Sequence, residues 1–137
     1  MKRFIYTAAL AAAMTCPYGY AQTVDARADV PFNFRIGDAV MPAGRYRIHE
    51  SQGLLMLREE TQKKAAMHLT LPVSRSAVSS NPSLEFVRYG NEYYLAKVWS
   101  GQSRDGHALI QGKREKELAA RFRNIQPAST VLEARSK

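Results

Sequence analysis

Cysteine is almost missing from this chain of 137 residues, because its single copy, Cys16, lies in the N-terminal segment. One cysteine cannot form an internal disulfide, and a mature chain that begins after residue 21 has no thiol at all. Disulfide scaffolds, zinc–thiolate sites and cysteine catalysis are therefore excluded together for the mature chain. Acidic residues are also in the minority, with 12 Asp and Glu against 20 Lys and Arg.

Long apolar runs are scarce too, and the one at residues 4–14 belongs to targeting. Lys2 and Arg3 precede it, and the small residues of "GYA" at 19–21 suit cleavage by a signal peptidase. The run is too short to cross a bilayer comfortably, and no second one follows. We predict a cleavable signal peptide over residues 1–21 and export to the periplasm or the cell exterior. Lipidation of Cys16 is the open alternative.

The mature chain is basic. Cleavage removes Lys2 and Arg3 and lowers the net charge from +8 to about +6. This surplus favours contact with anionic surfaces such as envelope polysaccharide or lipid headgroups, and export argues against nucleic acid as a partner. A surface that is basic only to stay soluble explains the charge equally well.

From residue 24 to about 111, apolar and polar residues alternate, which predicts strands. In "DVPFNFRIGDAVMPAGRYRI" (29–48), the apolar residues from Val30 to Ile36 share one face, and "GD" and "PAG" are turn signals. Further on, "LLMLRE" and "AAMHLTLPV" predict more strands, and residues 74–83 form a polar stretch typical of an exposed loop. "SRDGHALIQG" predicts a turn at Asp105-Gly106 and a last strand.

A Tyr-rich hairpin, "SLEFVRYGNEYYLAKVWSG", is the best-defined unit. Gly90-Asn91 suits a two-residue turn that pairs Tyr89 with Glu92 and fixes the register outward. One face has the larger apolar bulk and is assigned to the core: it carries Leu84, Phe86, Arg88, Tyr93, Leu95, Lys97 and Trp99. The opposite face, with Val87, Tyr89, Tyr94 and Val98, then needs a covering loop, helix or partner.

After the strands the hydrophobic period changes. In "KREKELAARFRNI" (113–125), Leu118, Phe122 and Ile125 recur at helical spacing among charged residues, which predicts a short amphipathic helix. The helix either covers the strands or, through its Lys and Arg, makes weak contact with anionic lipid. Residues 126–137 are predicted to be a flexible tail.

Together these patterns predict an all-β fold: a small antiparallel barrel, or a sandwich, of about seven strands with one short C-terminal helix. Closure is favoured because it removes exposed strand edges. The length suits one domain, over residues 22–125.

The motifs "VPFNFRIGDAVMPAGRYRI", "RYGNEYYLAKVW" and "KREKELA" together resemble a family of short exported all-β proteins common in acidobacterial genomes. The resemblance runs from Val30 to about Ala120, and Met41 stands where the family more often has Leu. It implies export and a small β domain. The family carries no established activity, so no catalytic or binding residue is implied.

No constellation predicts catalysis or a metal site. His49, His68 and His107 have no local ligand spacing, and no serine lies in a nucleophile motif. Glu85 and Glu92 share a face of the hairpin but lie on a surface, where they act as solubility charges. We therefore predict a non-enzymatic protein without a metal or other cofactor.

Five residues of the hairpin form a candidate contact site for a ligand or partner, since aromatic rings flanked by cations can stack on sugars or aromatic ligands. They are Tyr89, Tyr94, Trp99, Arg88 and Lys97. The leading hypothesis is an envelope or secreted interaction protein that contacts anionic polysaccharide or another protein. The alternative is a carrier of an apolar or aromatic small molecule, held inside the barrel or on the hairpin. A carrier needs a void lined by Phe32, Phe34, Tyr46, Phe86 and Trp99, whereas an interaction protein lets these rings touch.

Overall fold

A computed structural model describes residues 23–125 and 128–136, and it confirms an all-β fold with one short helix. The predicted signal peptide over residues 1–21, with Cys16, lies outside the described residues. These residues form eleven strands where about seven were predicted, because three strands are only two or three residues long and two lie in the segment predicted as a tail. Their bounds are β1 Val24–Val30, β2 Phe34–Ile36, β3 Ala39–Met41, β4 Gly44–Ser51, β5 Leu54–Glu59, β6 Ala65–Ser79, β7 Ser83–Tyr89, β8 Glu92–Trp99, β9 Ser103–Leu109, β10 Ala128–Glu133 and β11 Arg135–Ser136; the helix α1 is Lys113–Arg121.

The strands form one sheet in the order β10-β7-β8-β9-β6-β5-β4-β1-β11, with β2 attached to β3 and β8. Neighbours are antiparallel except for β2 and β8, which pair in parallel at Arg35 and Tyr94. Within the described ranges no pairing joins the two ends of this order, β10 and β11. The sheet is not closed, and the predicted barrel is not supported.

One core fills the concave side of the sheet. Alternation in β1, β4 and β5 turns side chains such as Val30, Ile48 and Leu57 inward, where they meet Leu84 and Leu95 from β7 and β8. Strands from both halves of the order share this core, so the sheet curves around it.

The aromatic side chains of the core touch each other. The ring of Phe34 lies 5.2 Å from that of Tyr46 and 5.3 Å from that of Phe86, both edge-on. Phe32 approaches Phe86 at 5.0 Å and stacks on Tyr93 at 4.0 Å. These distances are those of rings in direct contact.

Two local predictions in the second half of the chain are wrong. Residues 74–79, predicted as loop, belong to β6, whose later part pairs with β9. Asp105 and Gly106, predicted as a turn, lie inside β9, and the turn precedes it at Gly101-Gln102. Both segments are rich in small and polar residues, which are typical of turns, but backbone pairing between them outweighs that preference.

The segment predicted as a flexible tail contains β10 and β11. Strand β10 pairs with β7 over six positions, and β11 pairs with β1. Between the two strands, the buried residue Ala134 donates its N–H to the carbonyl oxygen of Pro82 at 2.8 Å. Without this segment, the edges of β7 and β1 would expose unpaired backbone N–H and C=O groups. Strands β10 and β11 pair with these edges.

Candidate functional site

The structure confirms the hairpin turn but changes the faces beyond it. Tyr89 pairs with Glu92, and Gly90 has a positive φ of 62°. A bulge at Ala96 then shifts the register, so that Glu85 opposes Lys97. Because one extra residue reverses the side on which later residues lie, Lys97 and Trp99 share the outer face with Glu85. Their assignment to the core is therefore wrong: Val98 packs in the core cluster.

Tyr89 and Tyr94 are buried beneath α1, which is the cover that the hairpin was predicted to need. Their ring centroids lie 5.8 Å apart, and the ring of Phe122, just after α1, lies 6.4 Å from that of Tyr89. Burial raises the pKa of both phenols. Since neither ring is open to solvent, neither can stack on a ligand in this conformation.

A bidentate ion pair holds α1 on the hairpin. Arg114 places Nη2 2.5 Å from Oε1 of Glu92 and donates from Nε to Oε2 at 3.3 Å. The hydrogen bond from Arg114 holds the pKa of Glu92 below its usual value. The helix is therefore held on the hairpin by the ion pair of Arg114 and by the side that faces Tyr89 and Tyr94.

The other three predicted contact residues are also engaged within the protein. Trp99 is only 6% exposed and donates from Nε1 to Oε2 of Glu85 at 3.0 Å, and the guanidinium of Arg75 lies 4.7 Å from its ring centroid. Lys97 pairs with Glu85 at 3.8 Å. Arg88 bonds the carbonyl oxygen of Gly90. The structure does not assemble the five residues into one open face.

One histidine meets a carboxylate inside the sheet. Nε2 of His107 lies 2.8 Å from Oε2 of Glu50, whose other oxygen accepts from Gly53 N–H at 3.0 Å and from the hydroxyl of Thr70 at 3.4 Å. Glu50 is 0% exposed, so a substrate cannot reach it. Over the described residues, no three His, Cys, Asp or Glu side chains group closely enough to hold a metal ion.

Arginines follow one line across the outer face of the sheet. Arg27, Arg47 and Arg58 stand directly opposite one another on β1, β4 and β5, and we call them the arginine row. Arg135 on β11 extends this line, because it opposes Arg27. Like charges at opposite positions destabilise a sheet. The arginine row therefore carries a local energetic cost.

The arginine row lines a surface depression of about 290 Å³, together with Lys63 and Glu60. Lys63 belongs to the turn after β5, which is fastened by a hydrogen bond from the backbone N–H of Gln62 to Glu59. That bond holds the pKa of Glu59 below its usual value. The depression thus brings four cations and one carboxylate together.

Few acids neutralise these cations. Arg27 places Nε 3.8 Å from Oε1 of Glu60. Arg47 and Arg58 make no ion pair within the described part of the chain. Alternation alone predicts that Arg47 points outward, but only the cross-strand register reveals the row, and register between separated strands is not readable from the sequence.

Strand β6 places its apolar residues on the outside. Met67, Leu69 and Leu71 are exposed, while Thr70 between them points inward and is buried. This orientation lets Thr70 bond Glu50, and its N–H bonds the carbonyl oxygen of Gly53 at 2.9 Å. The alternation of "AAMHLTLPV" puts these apolar residues on one face of the strand, and in the structure that face lies toward solvent.

No helix among the described residues is both long and apolar enough to cross a membrane. Comparisons of this chain with protein-family models, with curated proteins and with solved structures found no match.

Proposed function

We propose that the protein is an exported, non-enzymatic interaction protein that binds an anionic component of the cell envelope through the arginine row. The observation that carries this proposal is the direct cross-strand alignment of Arg27, Arg47 and Arg58 around a depression that also contains Lys63. Closely spaced phosphate, sulfate or carboxylate groups would relieve the mutual repulsion of these side chains. Anionic polysaccharide and anionic lipid headgroups both supply such groups.

Export remains part of the proposal. Its support is the sequence of residues 1–21, where Lys2 and Arg3 precede a short apolar run and a small-residue cleavage site. The resemblance to short exported acidobacterial proteins points the same way.

The packing of the core favours an interaction protein over a carrier. Phe32, Phe34, Tyr46 and Phe86 are linked by ring contacts, whereas a carrier would need them to line a void. Trp99, the fifth residue predicted to line such a void, lies outside the core cluster. An enzyme is disfavoured because the carboxylate of the His107–Glu50 pair is fully buried.

The role of the arginine row is tested by binding the protein to dextran sulfate beads and eluting it with a salt gradient. The variant Arg27→Gln/Arg47→Gln/Arg58→Gln is expected to elute at lower salt, with affinity reduced about tenfold, because three exposed charge contacts are lost. Folding should be preserved, since the substitutions remove like-charge repulsion.

The matched control removes three exposed cations from α1: Lys113→Gln/Lys116→Gln/Arg121→Gln. It has the same net charge as the row variant but keeps the arginine row intact, so its retention is expected to stay close to that of the wild type. Equal losses in the two variants would show that only net charge matters, and the proposal would then be wrong.

A further inference from the structure

An exposed apolar band lies beside the arginine row. It consists of Met56, Met67, Leu69, Leu71 and Ile110, each between 42% and 62% exposed, and we call it the apolar stripe. Met56 stands opposite Met67, and Ile110 donates its N–H to the carbonyl oxygen of Leu69 at 3.3 Å. These residues are neighbours on the outer face of β5 and β6 and at the end of β9. A contiguous group of this kind marks an interaction surface, unlike single exposed apolar residues.

A cationic margin borders the stripe on one side. Arg58 follows Met56 by two positions on β5 and so shares its face, which joins the stripe to the arginine row. On the far side, Leu71 opposes Ala108, which opposes Lys97, and Lys97 is paired with Glu85. The outer face of the sheet therefore carries an apolar band with a positively charged margin along the arginine row.

We propose that the anionic partner is a lipid bilayer, with the apolar stripe lying at the boundary of headgroups and acyl chains and the arginine row on lipid phosphates. The part of this inference that concerns the arginine row and an anionic partner rests on the proposed function. Apolar side chains gain by leaving water at such a boundary, and Lys and Arg beside them gain from the negative surface potential. The contact is made by a sheet face and not by α1, the element that the sequence suggested for membrane contact.

Two other occupants fit the stripe less well. A polysaccharide offers little to Met and Leu side chains, because sugar rings are commonly held by aromatic stacking and the stripe contains no aromatic residue. A second copy of the chain would offer apolar side chains to the stripe but no anionic group to the arginine row, which would stay unneutralised. Charge complementarity thus selects an anionic surface that also has an apolar layer.

Sedimentation with phospholipid vesicles tests this inference. The wild type is expected to bind vesicles of phosphatidylcholine mixed with phosphatidylglycerol, and to bind vesicles of phosphatidylcholine alone much more weakly. The variant Met67→Thr/Leu69→Thr/Leu71→Thr keeps residues suited to a strand and removes apolar contact area. We expect it to lose at least about tenfold in affinity for the anionic vesicles while its retention on dextran sulfate is unchanged.

The matched control is Val40→Thr/Val78→Thr/Val131→Thr, which changes three exposed valines outside the stripe. It is expected to bind both probes like the wild type. The arginine-row variant is expected to bind both the anionic vesicles and dextran sulfate more weakly than the wild type.

The outcomes separate the two proposals. If the wild type binds dextran sulfate but not anionic vesicles, the partner is a polyanion without an apolar layer, and the lipid inference is wrong while the proposed function stands. Vesicle binding by the stripe variant at wild-type affinity, or a dimer in sedimentation equilibrium that the stripe variant abolishes, also overturns the lipid inference. If the wild type binds neither probe, both proposals fail.

Discussion

Trp99 lies so close to Gly106 that the glycine cannot gain a side chain without moving the indole. A Cβ at Gly106 would stand 2.3 Å from Cε3 of Trp99, inside any normal contact distance. Gly106 lies in a regular strand, so its backbone conformation does not require glycine. Glycine is required here because the indole ring approaches the backbone closely. The same indole is bonded to Glu85, so its position is fixed from two directions.

The variant Gly106→Ala is expected to displace the indole, break its bond to Glu85 and lower the free energy of unfolding by about 1–3 kcal/mol. Trp99 is the only tryptophan in the sequence, so its fluorescence reports the change directly. We expect a red-shifted emission maximum and a lower midpoint in urea. In a protein that already carries Trp99→Leu, Gly106→Ala should lower the free energy of unfolding much less. An unchanged spectrum and midpoint in the single variant would contradict the contact.

Residue types and their outward or inward direction are partly readable from the sequence, but their partners are not. Alternation predicts outward positions for Arg45 and Arg47, and both are exposed. It cannot say that Arg45 meets Asp29 at 3.1 Å whereas Arg47 stands between two other arginines. That difference depends on strand register, which is set by contacts between distant segments.

At the scale of elements, α1 departs from its predicted pattern in an informative way. Its predicted inner residues were Leu118, Phe122 and Ile125, but the helix ends at Arg121 and Ile125 is exposed. The buried position on the helix is Glu115, which is 5% exposed. Burial raises the pKa of Glu115 to about 7.

Glu115 therefore makes the stability of the protein depend on pH. Its carboxyl group binds a proton more tightly in the folded state than in the unfolded chain, where its pKa is 4.5. Between pH 4.5 and about 7 the folded state holds more protons, so stability falls as pH rises through this window. Below the window the buried acid is neutral in both states and the penalty is absent.

The variant Glu115→Gln keeps the shape and removes the charge. We expect its Tm to exceed that of the wild type by several degrees at pH 8 and to equal it at pH 4. Thermal unfolding followed by circular dichroism measures both values. Glu117→Gln, at an exposed position of the same helix, should change neither; a gain for Glu115→Gln of the same size at both pH values would refute the assignment.

The hairpin shows which features of an element are predictable. Gly90-Asn91 predicts a two-residue turn, because few residue pairs tolerate the backbone geometry of such a turn. The structure confirms the turn. The bulge at Ala96 has no signal in the sequence, since alanine is compatible with both regular and bulged strands. Every side assignment made beyond that point was consequently reversed, including that of Trp99.

For the whole molecule, the segment that contains β10 and β11 decides how the sheet is completed. It covers the edge of β7 with its first part and the edge of β1 with its last. The sequence suggested a tail because the segment is short, polar and far from the other strand signals. Its pairing depends on unfilled edges elsewhere in the fold, which no local pattern can reveal.

Truncation after Ile125 should therefore destabilise the protein strongly. We expect Tm to fall by more than about 10 °C, because the backbone pairs along β7 and β1 and the burial of Ala134 are lost. Size-exclusion chromatography should also show aggregates, since two strand edges become available to other chains. A truncated protein that stays monomeric with the Tm of the full chain would mean that this segment adds nothing to the fold.

The pairing of β1 with β11 also has a kinetic consequence. Ala26 and Ser136 are partners, so a loop of about 110 residues must close before the sheet is complete. Contacts between such distant positions slow folding, because their chain entropy is lost before the contact repays it. Until residues 135–136 have been synthesised, the edge of β1 that pairs with β11 has no partner, so this part of the sheet is the last that can form.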